Sequence, residues 1–569
     1  MTSKETNTQS SLSRREWFSR AATPALAAPL VYPFIVGAGL PAHSADLSNA
    51  KLAIFDIRDY GAVGDGVKLN TTQIQAAIDA ANAAKGGTVL VPSGTFMCGT
   101  IELKSNVTLH LATNARLLGS PKREDYRAGN NIPPGNGNIV FISAAEAENI
   151  TISGNGTIDG NGLAFYTGRG DNTGPSGNTA EGYFDRPHLL IFSRCKNLRV
   201  QDVYLLASAY HCMRILTCEY IYFERIRINN RVNRNNDGFH FSNSRYVHID
   251  GCDVRCQDDA CALFGSNKFV TVSNCSFSTR WSIFRFGGGS SEFITVTNCT
   301  IYETYGCVIK MGAGRNARHE NMIFSNLIFR DVTGPISLGL TDQRRTPRPG
   351  QENQPSEIGT VRNIVFSNIR GNVVAEGRQF EDIHYEQGYR PGETRTCITL
   401  NGVGESYLEN ITLSNIHLTF EGGGTEEEAQ LRDVPQIAGE YFEIGARPAH
   451  GLYARNIRGL TLNNVRFDTS TPDLRPAIVL DNVSDATITS VTTQGNPKGP
   501  SVIRCINTTE TLITSPRLLT NASVYLAVEG ERSADITLEG GNISKAAKKA
   551  TFERGATETT TKIEKLILR

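Results

Sequence analysis

A short phrase of alternating apolar residues recurs along most of this chain, and it restricts the possible folds more than any other feature. Each copy reads apolar, any residue, apolar, any residue, then Asn or Gly, as in "NITISGNGTI" from Asn149 and "RYVHIDGCDV" from Arg245. Period-two alternation predicts short strands with one buried face each. Further copies begin at Asn197, Glu219, Lys268, Glu292, Asn321, Asn363, Asn410, Gly459, Asp485 and Asp535.

The spacing of the copies indicates the architecture. Equivalent residues of five successive copies lie 23, 26, 23 and 24 positions apart. They are Leu198, Ile221, Val247, Val270 and Ile294. Such a step leaves room for three short strands and three bends per turn, which stack into a right-handed parallel β-helix with a continuous apolar core. A β-propeller is the competing repeat fold, but each of its blades needs roughly 40 to 50 residues. We therefore predict an all-β chain with a single parallel β-helix over residues 46–569.

A short helix is predicted ahead of the repeats. Asn70 to Thr72 offer an N-cap, and Gly86 and Gly87 end the apolar pattern. Four apolar residues in between share one helical face. They are Ile74, Ala77, Ile78 and Ala81. Such a helix would cover the first coil, which otherwise exposes apolar surface and strand edges.

Three polar insertions interrupt the repeat, near residues 341–358, 376–395 and 421–447. Long loops on a rigid scaffold commonly form the walls of a binding groove. The alternative is that each is a solvated excursion of the surface. Whether the loops at 341–358 and 376–395 leave the groove open or block one end would decide between endo and exo action on a polymer.

The first 45 residues have the composition of a targeting segment. Twin arginines, Arg14 and Arg15, precede a moderately apolar stretch that ends at Leu40, and small residues follow. This is typical of a twin-arginine export signal that is cleaved near Ser44 or Ala45. A membrane anchor is the alternative, but the stretch is shorter than the roughly 20 residues of a spanning helix. We therefore expect a periplasmic or secreted protein with no membrane span after signal removal.

Charge and cysteine usage exclude some classes of function. The chain carries 57 acidic and 57 basic residues, so nothing global attracts nucleic acid or an anionic membrane surface. No cysteine spacing suits a zinc site. Cys252, Cys275 and Cys299 hold the same place in successive copies, which indicates a stack of free, buried thiols rather than disulfides.

Two adjacent carboxylates, Asp258 and Asp259 in "CQDDACALF", are the first candidate for chemistry. One coil earlier, "NRNNDGFHF" contains Asp237, which lies 21 positions before Asp258. The three side chains should therefore meet on neighbouring rungs, about 4.8 Å apart in the backbone. Such residues in bends can merely satisfy backbone donors. Clustered carboxylates repel one another and raise a pKa, which is typical of a functional site.

The next coils add cations and an aromatic ring. "STRWSIFRFGGG" supplies Arg280, Trp281 and Arg285, and "GCVIKMG" supplies Lys310. Together with His240 they are candidate substrate-binding residues. Carboxylates for proton transfer, cations for a substrate carboxylate and an indole ring for stacking would suit a sugar acid.

Several longer segments carry a resemblance to a known family. "FDIRDYGAVGDGVKLNTTQIQAAIDAANAAKGGTVLVPSGTF", "SNVTLHLATNARLLGS", "ISGNGTIDGNG", "NNDGFHF" and "CQDDACALF" together resemble glycoside hydrolase family 28, the polygalacturonase family of pectin-degrading enzymes. The similarity runs from about Phe55 to about Phe329. The family's "NTDG" and "DD" motifs correspond to Asn235–Gly238 and to Asp258–Asp259.

The resemblance implies a mechanism and a substrate class. Asp258 would be the general acid, and Asp237 and Asp259 would hold and deprotonate the attacking water, in a single displacement with inversion. Neither a metal nor an organic cofactor is implied. The expected partner is a pectic, uronate-containing polysaccharide or oligosaccharide, acted on by a monomer that binds no nucleic acid.

Two departures from the family's pattern concern the part that holds a uronate. "TRWSIF" stands in place of the Gly-His-Gly motif, and Val308-Ile309-Lys310 stands in place of Arg-Ile-Lys. Arg280 or Arg285 could compensate, the substrate could be a branched or rhamnose-containing pectic glycan, or the chain could be inactive. A polysaccharide lyase, with the acids as a calcium site, and a non-catalytic glycan-binding β-helix are the alternatives.

Overall fold

The early repeats fold into three short strands, some later repeats merge two of these into one long bent strand, and successive repeats place equivalent strands side by side. The computed structural model describes residues 53–130, 132, 138–165, 186–342, 357–383, 388–436 and 440–564. All of these belong to the second of two units, Leu52–Arg569, whereas the predicted export signal lies outside the described residues.

Three parallel sheets run the length of this unit. In the first sheet, the short strands are β1 (Ile54–Asp56), β3 (Gly87–Val91), β6 (Val107–Leu111), β10 (Glu148–Gly154), β13 (Lys196–Gln201), β16 (Glu219–Glu224), β19 (Arg245–Asp250), β22 (Asn267–Ser273), β36 (Thr509–Thr514), β39 (Ala534–Glu539) and β41 (Thr561–Glu564).

The second sheet follows the first along each coil. Its short strands are β2 (Asp65–Leu69), β4 (Gly94–Cys98), β7 (Ala115–Gly119), β11 (Thr157–Asp159), β14 (Tyr204–Leu206), β17 (Arg227–Asn230), β20 (Asp253–Cys256), β23 (Ser276–Thr279), β34 (Thr492–Thr493) and β37 (Arg517–Leu518).

The third sheet carries the predicted site. Its strands are β5 (Ile101–Glu102), β9 (Ile139–Ala145), β12 (His188–Ser193), β15 (Met213–Leu216), β18 (Phe239–Ser242), β21 (Cys261–Phe264), β24 (Ser282–Gly287), β26 (Cys307–Ala313), β28 (Ile336–Leu340), β30 (Ile398–Asn401), β35 (Ile503–Ile506), β38 (Ala522–Glu529) and β40 (Ala546–Glu553). A short strand, β8 (Arg127–Ala128), pairs antiparallel with β9.

Six longer strands bend from one sheet into another. They are β25 (Ser291–Thr304), β27 (Arg318–Val332), β29 (Thr360–Val373), β31 (Leu408–Phe420), β32 (Leu452–Thr469) and β33 (Ile478–Thr489). The two helices are α1 (Thr71–Ala83) and α2 (Glu426–Gln430), and 3-10 turns occur at Ile57–Tyr60, Arg123–Asp125, Gly162–Phe165, Tyr441–Ile444 and Glu558–Thr560.

The register confirms the predicted repeat. The five marker residues pair in order across β13, β16, β19, β22 and β25. Each apolar residue therefore sits above its counterpart, and the buried side chains form one column through the unit. The predicted parallel β-helix fold is confirmed.

The cysteine prediction is confirmed as well. All twelve cysteines are buried and carry free thiols. Cys252 donates its backbone N–H to the sulfur of Cys275 at 3.3 Å, one rung away. The column of thiols therefore fills the core as small apolar groups do.

Helix α1 covers the first coil as predicted, with its four apolar residues fully buried. The expected side-chain N-cap is wrong in one detail. The amide of Asn70 makes no capping bond, because it exchanges hydrogen bonds with the backbone of Val63, at 2.8 and 3.0 Å. Asn70 therefore ties the preceding loop to the start of the helix. Within the described residues, no helix is long and apolar enough to cross a membrane.

Candidate functional site

The three aspartates lie in the bends that lead into the third sheet. Phe239 pairs with Cys261, so Asp237 and Asp259, each two positions earlier, occupy equivalent places on neighbouring rungs. The backbone N–H of Gly238 donates to the carbonyl of Asp259 at 2.9 Å. Asp237 thus has Asp259, rather than Asp258, as its register partner, and all three carboxylates share one patch as the one-coil spacing predicted.

Local sequence explains how the turn before β18 is fixed. The buried amide of Asn236 accepts from the backbone N–H groups of Val232 and Asn233, at 3.0 and 2.6 Å, and donates to the carbonyls of Ser208 and Tyr210. Gly238 allows the rungs to approach closely, since a Cβ there would lie 2.5 Å from the carbonyl oxygen of Ala260. Asn236 and Gly238 therefore fix the turn that positions Asp237.

Asp258 is the most accessible carboxylate of the cluster. It is half-buried, whereas Asp237 and Asp259 are 4% and 6% exposed. Its Oδ1 accepts from the backbone N–H of Asp259 at 2.9 Å, and its Oδ2 accepts from the amide of Asn235 at 3.3 Å. A ligand that enters the patch would meet Asp258 first.

Asp258 and Asp237 hold protons more tightly than isolated carboxyl groups do. Burial raises the pKa of Asp258 well above its usual range, and the charges of Asp237 and Asp259 add to the effect. Burial and the charge of Asp259 likewise raise the pKa of Asp237. Carboxylates this close titrate as a group. The patch can therefore keep an acid protonated at a pH where a lone aspartate is ionised.

Two histidines flank Asp237. Nδ1 of His240 lies 2.7 Å from Oδ2 of Asp237, and Nε2 of His211 lies 3.8 Å from Oδ1. Burial, with the charge of Arg214 adding to it, lowers the pKa of His240 to about 4. The His240 ring is therefore neutral at pH 7, and it can donate one N–H to the carboxylate.

The same residues are the candidates for a metal site. Among the described residues, the ligand atoms of His211, Asp237 and His240 lie within 4.8 Å of one another. However, the two imidazole rings are stacked, with an interplanar angle of 16° and centroids 4.6 Å apart. A metal ligated by an imidazole lies near the plane of that ring, and two stacked planes cannot both contain it. The geometry favours a hydrogen-bonded group over a shared metal.

The predicted cations lie farther along the same sheet. Arg214, His240, Ala262, Arg285 and Lys310 occupy equivalent places on five successive rungs. The charge of Lys310 lowers the pKa values of Asp237 and Asp258, against the larger effect of burial. The structure therefore brings Lys310 and Arg285 to the edge of the acid cluster.

The insertion at 421–447 reaches this edge. Lys310 Nζ donates to Oε2 of Glu440 at 2.9 Å, and a guanidinium nitrogen of Arg285 lies 3.6 Å from Oε1. Lys310 Nζ also lies 4.7 Å from the ring centroid of Trp281, which packs edge-on against Tyr441. Trp281 is half-buried. This insertion is therefore part of the site, as a groove wall would be.

Arg280 differs from the sequence prediction. Its side chain and that of Glu393, from the insertion at 376–395, are each 1% exposed and form a 3.0 Å ion pair. Its guanidinium also donates to the carbonyls of Tyr305 and Gly388. The expectation that Arg280 contacts substrate does not fit this burial, because its hydrogen bonds and its ion pair anchor the backbone and the insertion. Most of the remaining insertion, at 341–358, lies outside the described residues.

The sequence analysis did not predict three residues of the site, which are His211, Glu440 and Glu393. His211 stands one coil before Asp237, so the one-coil spacing that linked the aspartates could have found it. Glu440 and Glu393 lie on insertions with no period. Their partners are 130 and 113 positions away, and no local signal marks such contacts.

Comparison with known proteins bears on this site. A family model described as glycosyl hydrolases family 28 matches residues 82–380, which include the three aspartates, Trp281 and Lys310 but not Glu440. Over 252 residues, the chain is 25% identical to polygalacturonase-2 of Solanum lycopersicum, which covers 43% of this chain and 50% of that protein. Over 73 residues, it is 48% identical to an exo-poly-alpha-D-galacturonosidase of Dickeya chrysanthemi, which covers 13% and 12%. The chain thus matches half or less of the length of these relatives.

Solved structures support the fold. An exopolygalacturonase from Thermotoga maritima aligns with a TM-score of 0.54 at 17% identity, covering 73% of this chain and 92% of that one. At this identity the likeness concerns the fold alone. The family model, however, spans more than half of the 569 residues, and on that ground the chain belongs to family 28 of the glycosyl hydrolases.

Proposed function

We propose that the chain hydrolyses α-glycosidic bonds of pectic polysaccharides or oligosaccharides with inversion at the anomeric carbon. The observation that carries the proposal is the carboxylate patch. A half-buried Asp258, whose pKa is raised, lies beside Asp237 and Asp259 on adjoining rungs. Glycoside hydrolysis requires an acid that holds a proton beside a carboxyl group that can take one from water.

The roles are those that the family resemblance implies, and the greater exposure of Asp258 agrees with them. Asp258, the most accessible acid, donates its proton to the glycosidic oxygen as the bond to the anomeric carbon breaks. Asp237 and Asp259 hold a water on the opposite side of the sugar and take its proton as the new C–O bond forms. The proton lost by Asp258 is thus replaced by one gained by the water-holding pair. Transfer between the acids through solvent restores the starting state.

The substrate class rests on the family and its relatives. Family membership supports a polysaccharide substrate, and the two relatives described above are a polygalacturonase and an exo-poly-alpha-D-galacturonosidase. We extend this to the chain as a pectic glycan, of the galacturonan or rhamnogalacturonan type. Action outside the cytoplasm, after export by the twin-arginine route, belongs to the same proposal and rests on the composition of residues 1–45.

The first experiment replaces the acid alone. Asp258→Asn should lower turnover of a pectic oligosaccharide by at least a thousandfold, because the leaving oxygen then departs without a proton. Asp485→Asn makes the same chemical change at an exposed position of β33 and should leave turnover intact. Circular dichroism checks that both variants fold. Turnover by Asp258→Asn equal to that of the native chain would overturn the assignment.

A further inference from the structure

Beside the acid cluster, a carboxylate of the protein itself covers the two predicted uronate-binding cations. The side chains of Lys310 and Arg285 are 2% and 10% exposed, whereas that of Glu440 is 32% exposed. Lys310 and Arg285 stand on neighbouring rungs, and Glu440 bridges them from outside. An entering ligand therefore meets the carboxylate before it meets either cation.

The charge of this group is set by its contacts. Burial alone would raise the pKa of Glu440, but the charges of Lys310 and Arg285 outweigh it and hold that pKa below the usual value. Glu440 is thus ionised at neutral pH, and an ionised carboxylate repels a second one. To use Lys310 as its counter-ion, a uronate would have to displace a formed, charge-assisted hydrogen bond.

The surrounding groups suit an uncharged ring. Trp281 offers a half-buried indole, and Glu440 offers carboxylate oxygens that can accept hydrogen bonds from sugar hydroxyls. Arg390 lies over the ring of Phe442 at 4.7 Å and over that of Trp281 at 5.6 Å, and its charge adds to those that lower the pKa of Glu440. An aromatic platform beside an acceptor is a common way to bind a neutral sugar.

We propose that the subsite formed by Trp281, Lys310, Arg285 and Glu440 selects an uncharged sugar unit, with Glu440 occupying the place that a uronate carboxylate would take. This inference rests on the proposed hydrolase function for its location next to the cleaved bond. Glu440 lies outside the residues that the family model matches, so the residue that would exclude a uronate belongs to the insertion at 421–447.

Fluorescence can test the charge preference at the subsite itself. The chain has two tryptophans, Trp17 and Trp281. With Trp17→Phe, the emission of Trp281 reports ligand binding directly. The full chain with Trp17→Phe and Asp258→Asn, which prevents turnover, would be titrated with trigalacturonic acid and with its fully methyl-esterified form. These ligands share the sugar ring and differ mainly in charge.

The neutral ester should bind at least tenfold more tightly than the free acid. Adding Glu440→Gln should reduce that ratio at least tenfold, because the cations become available to a substrate carboxylate. Glu427→Gln, an exposed position on the same insertion, should leave the ratio unchanged. Equal or tighter binding of the acid, an unchanged ratio in Glu440→Gln, or no emission change with either ligand would overturn the proposal.

The two proposals fail separately. If the chain with Asp258 intact hydrolyses no pectic oligosaccharide, the hydrolase assignment falls, while the titration still decides which charge the subsite prefers. If hydrolysis occurs but the free acid binds more tightly, the hydrolase assignment stands and the neutral-sugar subsite falls.

Discussion

Asp237 and Asp259 occupy the same position on successive rungs of the third sheet, joined by the hydrogen bond from Gly238 N–H to the Asp259 carbonyl. Their Cα atoms therefore cannot separate without unpairing the sheet. This forced closeness, together with burial, keeps the pKa of Asp237 high. The spacing of the rungs therefore contributes to the raised pKa of Asp237.

Removing an acid should stabilise the fold in a pH-dependent way. Burial and two neighbouring charges raise the pKa of Asp258 in the folded chain, whereas in the unfolded chain it is near 3.9. A raised folded pKa gives stability that is complete below the unfolded value and is lost as pH rises through the folded value. Asp258→Asn, which cannot ionise, should therefore raise Tm by about 1–3 °C at pH 7 to 8.

The difference should vanish as pH falls below about 3, where Asp258 is protonated in the folded and in the unfolded chain and is uncharged like Asn. Thermal unfolding at several pH values measures it, with Asp485→Asn as the control that shows no such trend. A variant less stable than the native chain at pH 8 would contradict the account of the cluster.

His240 should act as a positioning residue for Asp237. His240→Phe keeps the ring that stacks on His211 and Phe264 but removes the group 2.7 Å from Asp237. Loss of a donor raises the pKa of the carboxylate, so the acidic limb of the kcat/KM profile should move to higher pH, by about one unit. A lower kcat with an unmoved limb would show a purely structural role.

The buried pair of Arg280 and Glu393 should hold the insertion in place. Glu393→Ala leaves the Arg280 charge buried without its carboxylate partner and should lower the free energy of unfolding by about 3–5 kcal/mol. The double variant Arg280→Met with Glu393→Leu should recover much of that loss, because no charge remains to be buried. Urea titration measures both. A single variant within about 1 kcal/mol of the native chain would mean that the pair is not an anchor.

The twelve thiols should be inert in the folded chain. All are buried, so a thiol reagent should label almost none under native conditions and all twelve in denaturant. Tm should be the same with and without reductant. Rapid labelling of several thiols in the folded chain, or a Tm that falls on reduction, would contradict the free-thiol core.

The repeat could be predicted from sequence because each rung repeats the same local pattern. Leu198, Ile221 and Val247 gave the step, and the step alone placed Asp237 beside Asp258 and Asp259. The contacts that could not be predicted are made by the insertions, which do not follow the repeat. Glu440 contacts Lys310, which lies 130 positions earlier in the sequence. Neither secondary-structure propensity nor the alternation of apolar residues predicts where such a loop packs. Arg280 was misjudged for the same reason, since its partner Glu393 lies on an insertion.

The central claim is that the carboxylate patch performs inverting hydrolysis, and the anomeric configuration of the first product tests it most directly. Proton NMR, recorded from the first minutes on an α-linked pectic oligosaccharide with the native chain, should show the new reducing end as the β-anomer, before mutarotation. The α-anomer appearing first would contradict inversion. Vinylic proton signals would indicate elimination by a lyase, and an unchanged spectrum across a panel of pectic substrates would leave a glycan-binding protein without this chemistry.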